Sequence, residues 1–163
     1  MEQLYLIAAI GENGELGKNN QLIWHLKDDL KFFKEKTMGH AIVMGYQTFC
    51  SLPKQLPGRK HIVLTHREIS LPEGVMVCHS LQELKAYLKE QNKTCYIIGG
   101  ASIYEQLIDD CDKMYLTKID ASDPEADIYF PKWNEEDFDV TVLDQHEENQ
   151  IRYKHLEYVR KKV

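Results

Sequence analysis

The residues best placed to do chemistry lie in the run Leu22-Ile23-Trp24-His25-Leu26-Lys27-Asp28-Asp29-Leu30-Lys31-Phe32-Phe33. On a helix of 3.6 residues per turn, Leu26, Leu30, Phe33 and Thr37 share a stripe, and Asp29 projects at its edge between Phe32 and Phe33. A carboxylate flanked by two aromatic rings and largely desolvated can have its pKa raised by up to roughly 3 to 5 units, which suits a proton donor near neutral pH. Asp28 is expected to point elsewhere, towards Lys31 and Glu35. Both acids also fit a helix's first turn, where the macrodipole favours negative charge by ~0.3 to 1 kcal/mol each. The run alone therefore admits a structural role as well as a catalytic one.

A second chemistry is anion binding. Met44-Gly45 and Ile98-Gly99-Gly100 each end an apolar run with glycine just before a helical pattern, leaving backbone amides and the positive end of a helix free for phosphate. Two such junctions on one sheet fit two parts of a dinucleotide, and Thr48 adds a hydroxyl one turn into the first helix. Neither junction is a G-x-G-x-x-G or a P-loop, and glycine at such turns also serves as steric relief. In the turn Leu56-Pro57-Gly58-Arg59 an arginine on a rigid support can grip a carboxylate with both arms of its fork. Thr117 shares a strand face with Tyr115 and Ile119, where its hydroxyl would seek a polar partner.

Charge is segregated to match. From Lys36 through Arg67 there is no Asp or Glu, whereas from Asp120 to Glu148 eleven acids face Lys132 as the sole Lys or Arg. A cationic stretch in a chain of net charge -6 suits a small anionic ligand, and the acidic remainder argues against a nucleic-acid surface. His61 and His66 have a metal-like spacing, but an offset of five on a strand puts them on opposite faces, so no metal site is expected. Cys50, Cys78, Cys95 and Cys111 form no C-x-x-C pair and read as reduced thiols.

The elements that must position these groups follow from apolar periodicity. Strands are expected at Leu4 to Ile10, Ala41 to Met44, His61 to Thr65, Cys95 to Ile98 and Met114 to Ile119, with a terminal antiparallel pair at Asp139 to Leu143 and Arg152 to Val159. Helices are expected around Asp29, after Gly45 until Pro53, over Leu81 to Lys89 and from about Ser102 to Asp109, with a glycine-rich loop over Gly11 to Gly17. Strands alternating with helices imply an α/β sheet covered on both faces. At 163 residues, 43% hydrophobic and 28% charged, the chain fits one domain, residues 1–163. No run of 18 apolar residues and no basic-then-apolar leader is seen, so a cytoplasmic location without membrane contact is expected.

Several motifs recur together in one order. Trp24 with Asp29, Ile42-Val43-Met44-Gly45-Tyr46-Gln47-Thr48-Phe49, Leu56-Pro57-Gly58-Arg59, Ile97-Ile98-Gly99-Gly100, Tyr104-Glu105-Gln106 and Leu116-Thr117-Lys118-Ile119 resemble the successive motifs of bacterial dihydrofolate reductase. The resemblance implies an eight-stranded, mostly parallel mixed sheet with helices on both faces and a C-terminal antiparallel hairpin. It also implies NADPH as hydride donor, 7,8-dihydrofolate as acceptor, antifolates as inhibitors and a monomer. Asp29, Trp24 and Thr117 would then be the catalytic set: Asp29 pairs with the pterin N3 and 2-amino group and promotes protonation of N5, and Thr117 holds Asp29. Ile7, Ala9, Leu30, Phe33, Leu52, Ile98 and Tyr104 would line the substrate, with Arg59 on the α-carboxylate of its glutamate tail. The cofactor would be bordered by Ala9, Ile10, Leu16 and Gly17, by Gly45, Tyr46, Gln47 and Thr48, by Leu64, Thr65, His66 and Arg67, and by Ile98, Gly99, Gly100, Ala101, Ser102, Ile103 and Tyr104. A cis Gly99-Gly100 peptide is expected from the same resemblance.

Three departures from the family pattern matter. Tyr46 stands where an arginine usually reaches the 2′-phosphate, which shifts that duty to Thr65, His66, Arg67 and Gln47. Ile23 and Lys27 stand where prolines flank the tryptophan, and Ala126 replaces a common glycine in the acidic loop, whose segment Asp120 to Asp127 is one residue longer than in some relatives. Two other readings remain open at this level. One is a reductase of the same fold acting on another pterin-like or pyrimidine substrate, and the other is a nucleotide-binding module without catalysis.

Overall fold

A computed structural model describes residues 3–18, 21–52 and 54–162. Its elements run β1 (Gln3–Ile10), β2 (Glu15–Lys18), β3 (Gln21–Leu22), α1 (Lys27–Thr37), β4 (Ala41–Gly45), α2 (Tyr46–Ser51), β5 (Lys60–Leu64), β6 (Met76–Cys78), α3 (Leu81–Gln91), β7 (Thr94–Gly99), α4 (Ala101–Leu107), β8 (Lys113–Ile119), β9 (Ile128–Tyr129), β10 (Phe138–Glu148) and β11 (Ile151–Arg160). Eight strands form one sheet in the order β10-β11-β8-β1-β7-β4-β5-β6. Pairings from β8 to β6 are parallel, while β11 runs antiparallel to both β8 and β10. The expected architecture is the observed one. Pro53 lies outside the described residues.

Burial explains the order of strands. β1, β4 and β7 sit centrally and are apolar on both faces, with Leu6, Ile42, Val43, Met44 and Ile97 fully buried. One face packs under α3 and α4 through Leu84, Leu88, Ile103 and Leu107; the other carries Tyr5, Ile7, Tyr96 and Tyr115, onto which Phe32 and Phe33 of α1 close. On α3 the Ser80 side chain accepts from the Glu83 amide at 3.1 Å, and Asn92 ends the helix in the left-handed region at φ 52°.

Two expectations about α1 are corrected. Leu26 and Thr37 are buried and Phe33 is half-buried, but Leu30 is 51% exposed, so the stripe opens towards solvent at its middle. Asp28 does not turn to Lys31 and Glu35, which pair with each other at 4.0 Å; its Oδ2 lies 3.3 Å from His146 Nδ1 on β10. The neighbour of the Asp28 carboxylate is thus supplied by the C-terminal hairpin and not by its own helix.

The glycine-rich loop is more structured than its composition suggests. β2 pairs with β3 and β9 in a small second sheet, and Glu15 on β2 is buried. Its Oε1 accepts from the Asn13 amide and its Oε2 from the Asp123 amide, each at 2.8 Å, tying the loop to the acidic segment. Glu12 N to Ala121 O, Asp127 N to Gly17 O and Phe130 N to Gly14 O continue the clasp. Gly11 is the close approach that permits it: a β-carbon there would stand 2.5 Å from Glu15 Oε1 and 2.6 Å from the Trp24 ring. Burial pushes the Glu15 carboxyl up, but the backbone N–H bonds from Asp123, Glu15 itself and Asn13 outweigh it and leave the pKa lowered. The stabilisation is therefore present above the ordinary glutamate range and lost as pH falls through the lowered value. Glu15→Gln should cost about 1 to 3 kcal/mol at neutral pH. Denaturant melts should show that difference shrinking at acid pH, and equal stability at pH 7 would show that the clasp contributes nothing.

Candidate active site

Asp29 sits on the first turn of α1 and reaches across to the sheet. Its Oδ1 accepts from Thr117 Oγ1 on β8 at 2.5 Å, so the expected Thr117 partnership is present in the fold. The same oxygen lies 3.2 Å from His155 Nε2 on β11, a residue the sequence reading passed over. Its side chain is 19% exposed, and that of His155 1%. Phe32 stacks on the His155 ring at 3.9 Å between centroids and 6° between planes, so it covers the imidazole rather than Asp29 directly.

His155 is held from both ends. Its Nδ1 lies 2.6 Å from Asp144 Oδ1, the residue opposite it in the β10–β11 register. Asp144 Oδ1 also lies 3.0 Å from His146 Nε2, and His146 Nδ1 meets Asp28. Asp144, His146 and His155 bring these atoms within 4.8 Å of one another. Of these contacts the one between His155 and Asp144 is a hydrogen bond. Burial alone pulls His155 towards neutral imidazole, but its bonds to Asp29 and Asp144 and the attraction of their charges outweigh it, so its pKa stands above the ordinary histidine value. The stability this supplies is full below that ordinary value and is lost as pH rises through the raised one.

Arg59 is anchored on the far end of α1. Its Nε donates to Thr37 Oγ1 at 2.8 Å, Nη1 to Pro57 O at 3.0 Å and Nη2 to Lys34 O at 3.4 Å. All three acceptors are neutral, so the guanidinium is positioned while its charge stays available to a carboxylate. Burial lowers its pKa without neutralising so strong a base. His61 braces the turn: its Nδ1 meets Arg59 O at 3.0 Å and its Nε2 accepts from the Leu56 amide at 3.0 Å. Burial, with the nearby Arg59 charge, lowers the His61 pKa against the bond to Arg59 O, which keeps Nε2 an acceptor. The expected opposition of His61 and His66 takes a simpler form, because His66 lies beyond the end of β5 and is exposed.

The glycine junctions meet. Met44 of β4 is in register with Gly99 of β7, so α2 and α4 start side by side from Gly45 and Gly100. A β-carbon on Gly100 would stand 3.4 Å from Thr48 Oγ1, and one on Gly45 3.1 Å from Ile103 Cγ1. The Gly99-Gly100 peptide is cis, with Gly99 at φ 118°. Ile103 and Tyr104 are buried; the Tyr104 hydroxyl donates to Ile7 O at 2.8 Å, and burial, then the Asp29 charge, raise its pKa. Ser102 and Gln47 are exposed, and Ala101 and Ile98 are half-buried. At the end of β5, Leu64 is buried, Thr65 half-buried and Arg67 exposed, with the Thr65 hydroxyl accepting from the Arg67 amide at 3.2 Å. The Tyr46 phenol has its pKa raised, first by its hydrogen bond with Cys50, against the opposing charge of Arg67. His79 Nδ1 reaches Thr65 O at 2.9 Å, adding an imidazole to this corner.

Ala9 lies opposite Thr117 in the β1–β8 register, and Trp24 packs with it near Leu26 and Tyr153. Ile10 and Gly17 are buried, and Leu16 and Leu52 half-buried. A separate open cleft of about 1210 Å³, lined by Gly11, Lys118, Trp133, His146 and Tyr153 among others, contains neither Asp29 nor Arg59 nor the glycine junctions.

Comparison with known proteins gives one answer. The family model described as dihydrofolate reductase matches residues 3–160. The chain is 37% identical to dihydrofolate reductase of Bacillus subtilis (strain 168) over 158 residues, covering 95% of this chain and 93% of that protein. It is 38% identical to the Staphylococcus aureus enzyme of the same name over 152 residues, covering 90% and 91%. The solved structure of dihydrofolate reductase from Enterococcus faecalis complexed with NADP(H) and RAB-propyl superposes with a TM-score of 0.85 at 34% identity, covering 98% of this chain and 97% of that one. The chain therefore belongs to the dihydrofolate reductase family, the NADPH-dependent reductases of dihydrofolate.

Proposed function

We propose that Asp29 is the residue that recognises the pterin and holds the proton for N5 in the reduction of 7,8-dihydrofolate to tetrahydrofolate. The observation that carries this reading is a carboxylate, four-fifths buried, aimed from α1 at the sheet and fixed by Thr117. One of its oxygens is already occupied by Thr117 and His155, so the other is left to accept from the pterin N3–H and amino group. Ala9, Ile7, Phe33, Leu30, Leu52 and Ile98 would supply the apolar surface for the rings of the substrate, and the exposure of Leu30 fits a residue covered by substrate. Trp24, beside Gly11, closes the region from the loop side and excludes bulk water.

The residues at the glycine junctions fit the cofactor: a β-carbon at Gly45 would crowd Ile103 at 3.1 Å, one at Gly100 would just touch the Thr48 hydroxyl at 3.4 Å, and both glycines stand in front of helix starts. NADPH supplies the hydride. The first-turn amides of α2 and α4, with Thr48, would hold its pyrophosphate; Ala9, Ile10, Leu16 and Gly17 would border the nicotinamide; Ala101, Ser102, Ile103 and Tyr104 would support the junction behind it. Thr65, His66 and Arg67, with Tyr46 and Gln47 opposite, would take the 2′-phosphate. A single domain, a monomer and a cytoplasmic location accompany this reading; among the described residues no helix is long and apolar enough to cross a membrane.

Asp29→Asn should retain cofactor binding while the hydride-transfer rate near pH 7 falls on the order of 10² to 10⁴, the usual worth of a positioned acid. Loss of absorbance at the NADPH band on adding dihydrofolate measures it, and near wild-type turnover would remove Asp29 from the role. The charge-assisted pair made by Arg59 is worth roughly 1.5 to 3 kcal/mol, so Arg59→Ala should weaken dihydrofolate binding by ~10- to 150-fold. A pteridine without the glutamate should bind both proteins alike; equal weakening of the two ligands would make Arg59 structural. Arg67→Ala or His66→Ala should erode the preference for NADPH over NADH, and Tyr46→Arg should strengthen it. An unchanged ratio of kcat/KM for the two cofactors in all three variants would place the 2′-phosphate elsewhere.

A further inference from the structure

We propose that His155 is a positioning residue that shares one proton with Asp29, so that the pair rather than the lone carboxylate sets the pH range over which the site can protonate N5. The inference rests on the reading of Asp29 as the proton holder and deepens it.

Geometry carries the argument. His155 Nε2 and Asp29 Oδ1 are 3.2 Å apart, Nδ1 is fixed by Asp144 at 2.6 Å, and the ring cannot turn because Phe32 lies flat on it. A buried imidazole with a carboxylate oxygen at each nitrogen is most stable as the imidazolium, both N–H groups donating. When the Asp29 carboxylate takes the Nε2 proton, neutral His155 remains bonded to Asp144 through Nδ1–H. The two arrangements, ionised pair and neutral pair, hold the same single proton and titrate as one unit. In the reaction that proton passes through Asp29 to N5, leaving carboxylate and neutral imidazole, and the pair regains one proton from solvent after product leaves. Nothing else is consumed.

The charges facing His155 favour retention of the proton. From α1 these are Asp29 and, through His146, Asp28; from β10, Asp144 and His146; from β8, the neutral Thr117; on β11 itself, Tyr153, whose ring centroid lies 5.8 Å away. His146 is the one potential cation among these groups, and it lies between Asp28 and Asp144. The direction of the His155 pKa, above its ordinary value, agrees with this balance.

The test is the pH dependence of hydride transfer, measured in single turnover with NADPH and dihydrofolate. His155→Phe keeps a flat ring against Phe32 and should move the falling alkaline limb to lower pH by about one unit, the scale of coupling in such pairs. Asp144→Asn leaves Asp29 and His155 in place and should move the limb the same way by less. In wild-type protein with ¹⁵N-labelled histidine, the His155 ring nitrogens should titrate at the midpoint of the kinetic limb. If His155→Phe does not fold, Asp144→Asn and the ¹⁵N titration decide the matter. A histidine that only fills space would alter melting temperature and substrate affinity but leave the limb unmoved. An unmoved limb in the variants, or a His155 midpoint far from the kinetic one, overturns the proposal. Wild-type turnover in Asp29→Asn would instead overturn the underlying reading of Asp29.

Discussion

A carboxylate taken out of water must be given hydrogen-bond donors, and much of this structure can be read as the answer to that demand at Asp29. Desolvating an ionised group without partners costs several kcal/mol, so α1 can bury Asp29 only where the sheet offers donors at the right height. Two adjacent strands do so. Thr117 on β8 and His155 on β11 are opposite one another in register, and both reach the same oxygen. The antiparallel attachment of the terminal hairpin to an otherwise parallel sheet thus has a chemical consequence: it delivers a residue from the chain's last strand to a helix near its beginning. On the proposed reading, the second oxygen is the one that receives the ligand.

Arg59 is governed by the opposite logic at the other end of the same helix. Here the protein fixes a cation with neutral acceptors alone, two carbonyls and a hydroxyl, so that position is secured while charge is not spent. Thr37 links the two ends, since its hydroxyl donates to Phe33 O while accepting from Arg59, and Phe33 lies one turn beyond Asp29. On the proposed reading, a ligand with a hydrogen-bonding head and an anionic tail would be measured against the length of α1, a rigid ruler at about 1.5 Å per residue. His61, kept neutral by burial, prevents the Leu56 to Arg59 turn from drifting off that ruler.

Much of this was legible in the sequence, and for identifiable reasons. Buried parallel strands announce themselves as continuous apolar runs, so β1, β4, β5, β7 and β8 were placed within a residue or two, and the glycines at two of their ends marked the helix starts. Asp29 was visible because helical spacing set it beside aromatic residues. β2, β3, β6 and β9 were not visible, because two to four residues carry too little periodicity to distinguish a strand from a loop. Glu15 looked like a loop acid; that it is buried depends on amides from Asn13 and Asp123, a meeting of segments 108 residues apart that no local pattern encodes.

His155 shows the boundary most clearly. It lies 126 residues from Asp29, so only the fold can bring them together. A local signal did exist: Tyr153, His155 and Glu157 occupy one phase of an alternating strand, and a histidine between an aromatic and an acid on the inward phase of a covered strand needs partners. The sequence could have said that His155 is buried and bonded, but not to which acids. Two acids at once is the arrangement that matters, because one would merely fix the ring whereas a second, on the far side, adds the bond and the charge that raise the imidazole pKa against burial. Under the proposed pairing the chemistry of Asp29 is tuned by Asp144, which stands on the edge strand of the sheet and is 44% exposed at its side chain. The buried imidazole bridges the outer carboxylate to the inner one, with Asp144 Oδ1 2.6 Å from Nδ1 and Asp29 Oδ1 3.2 Å from Nε2.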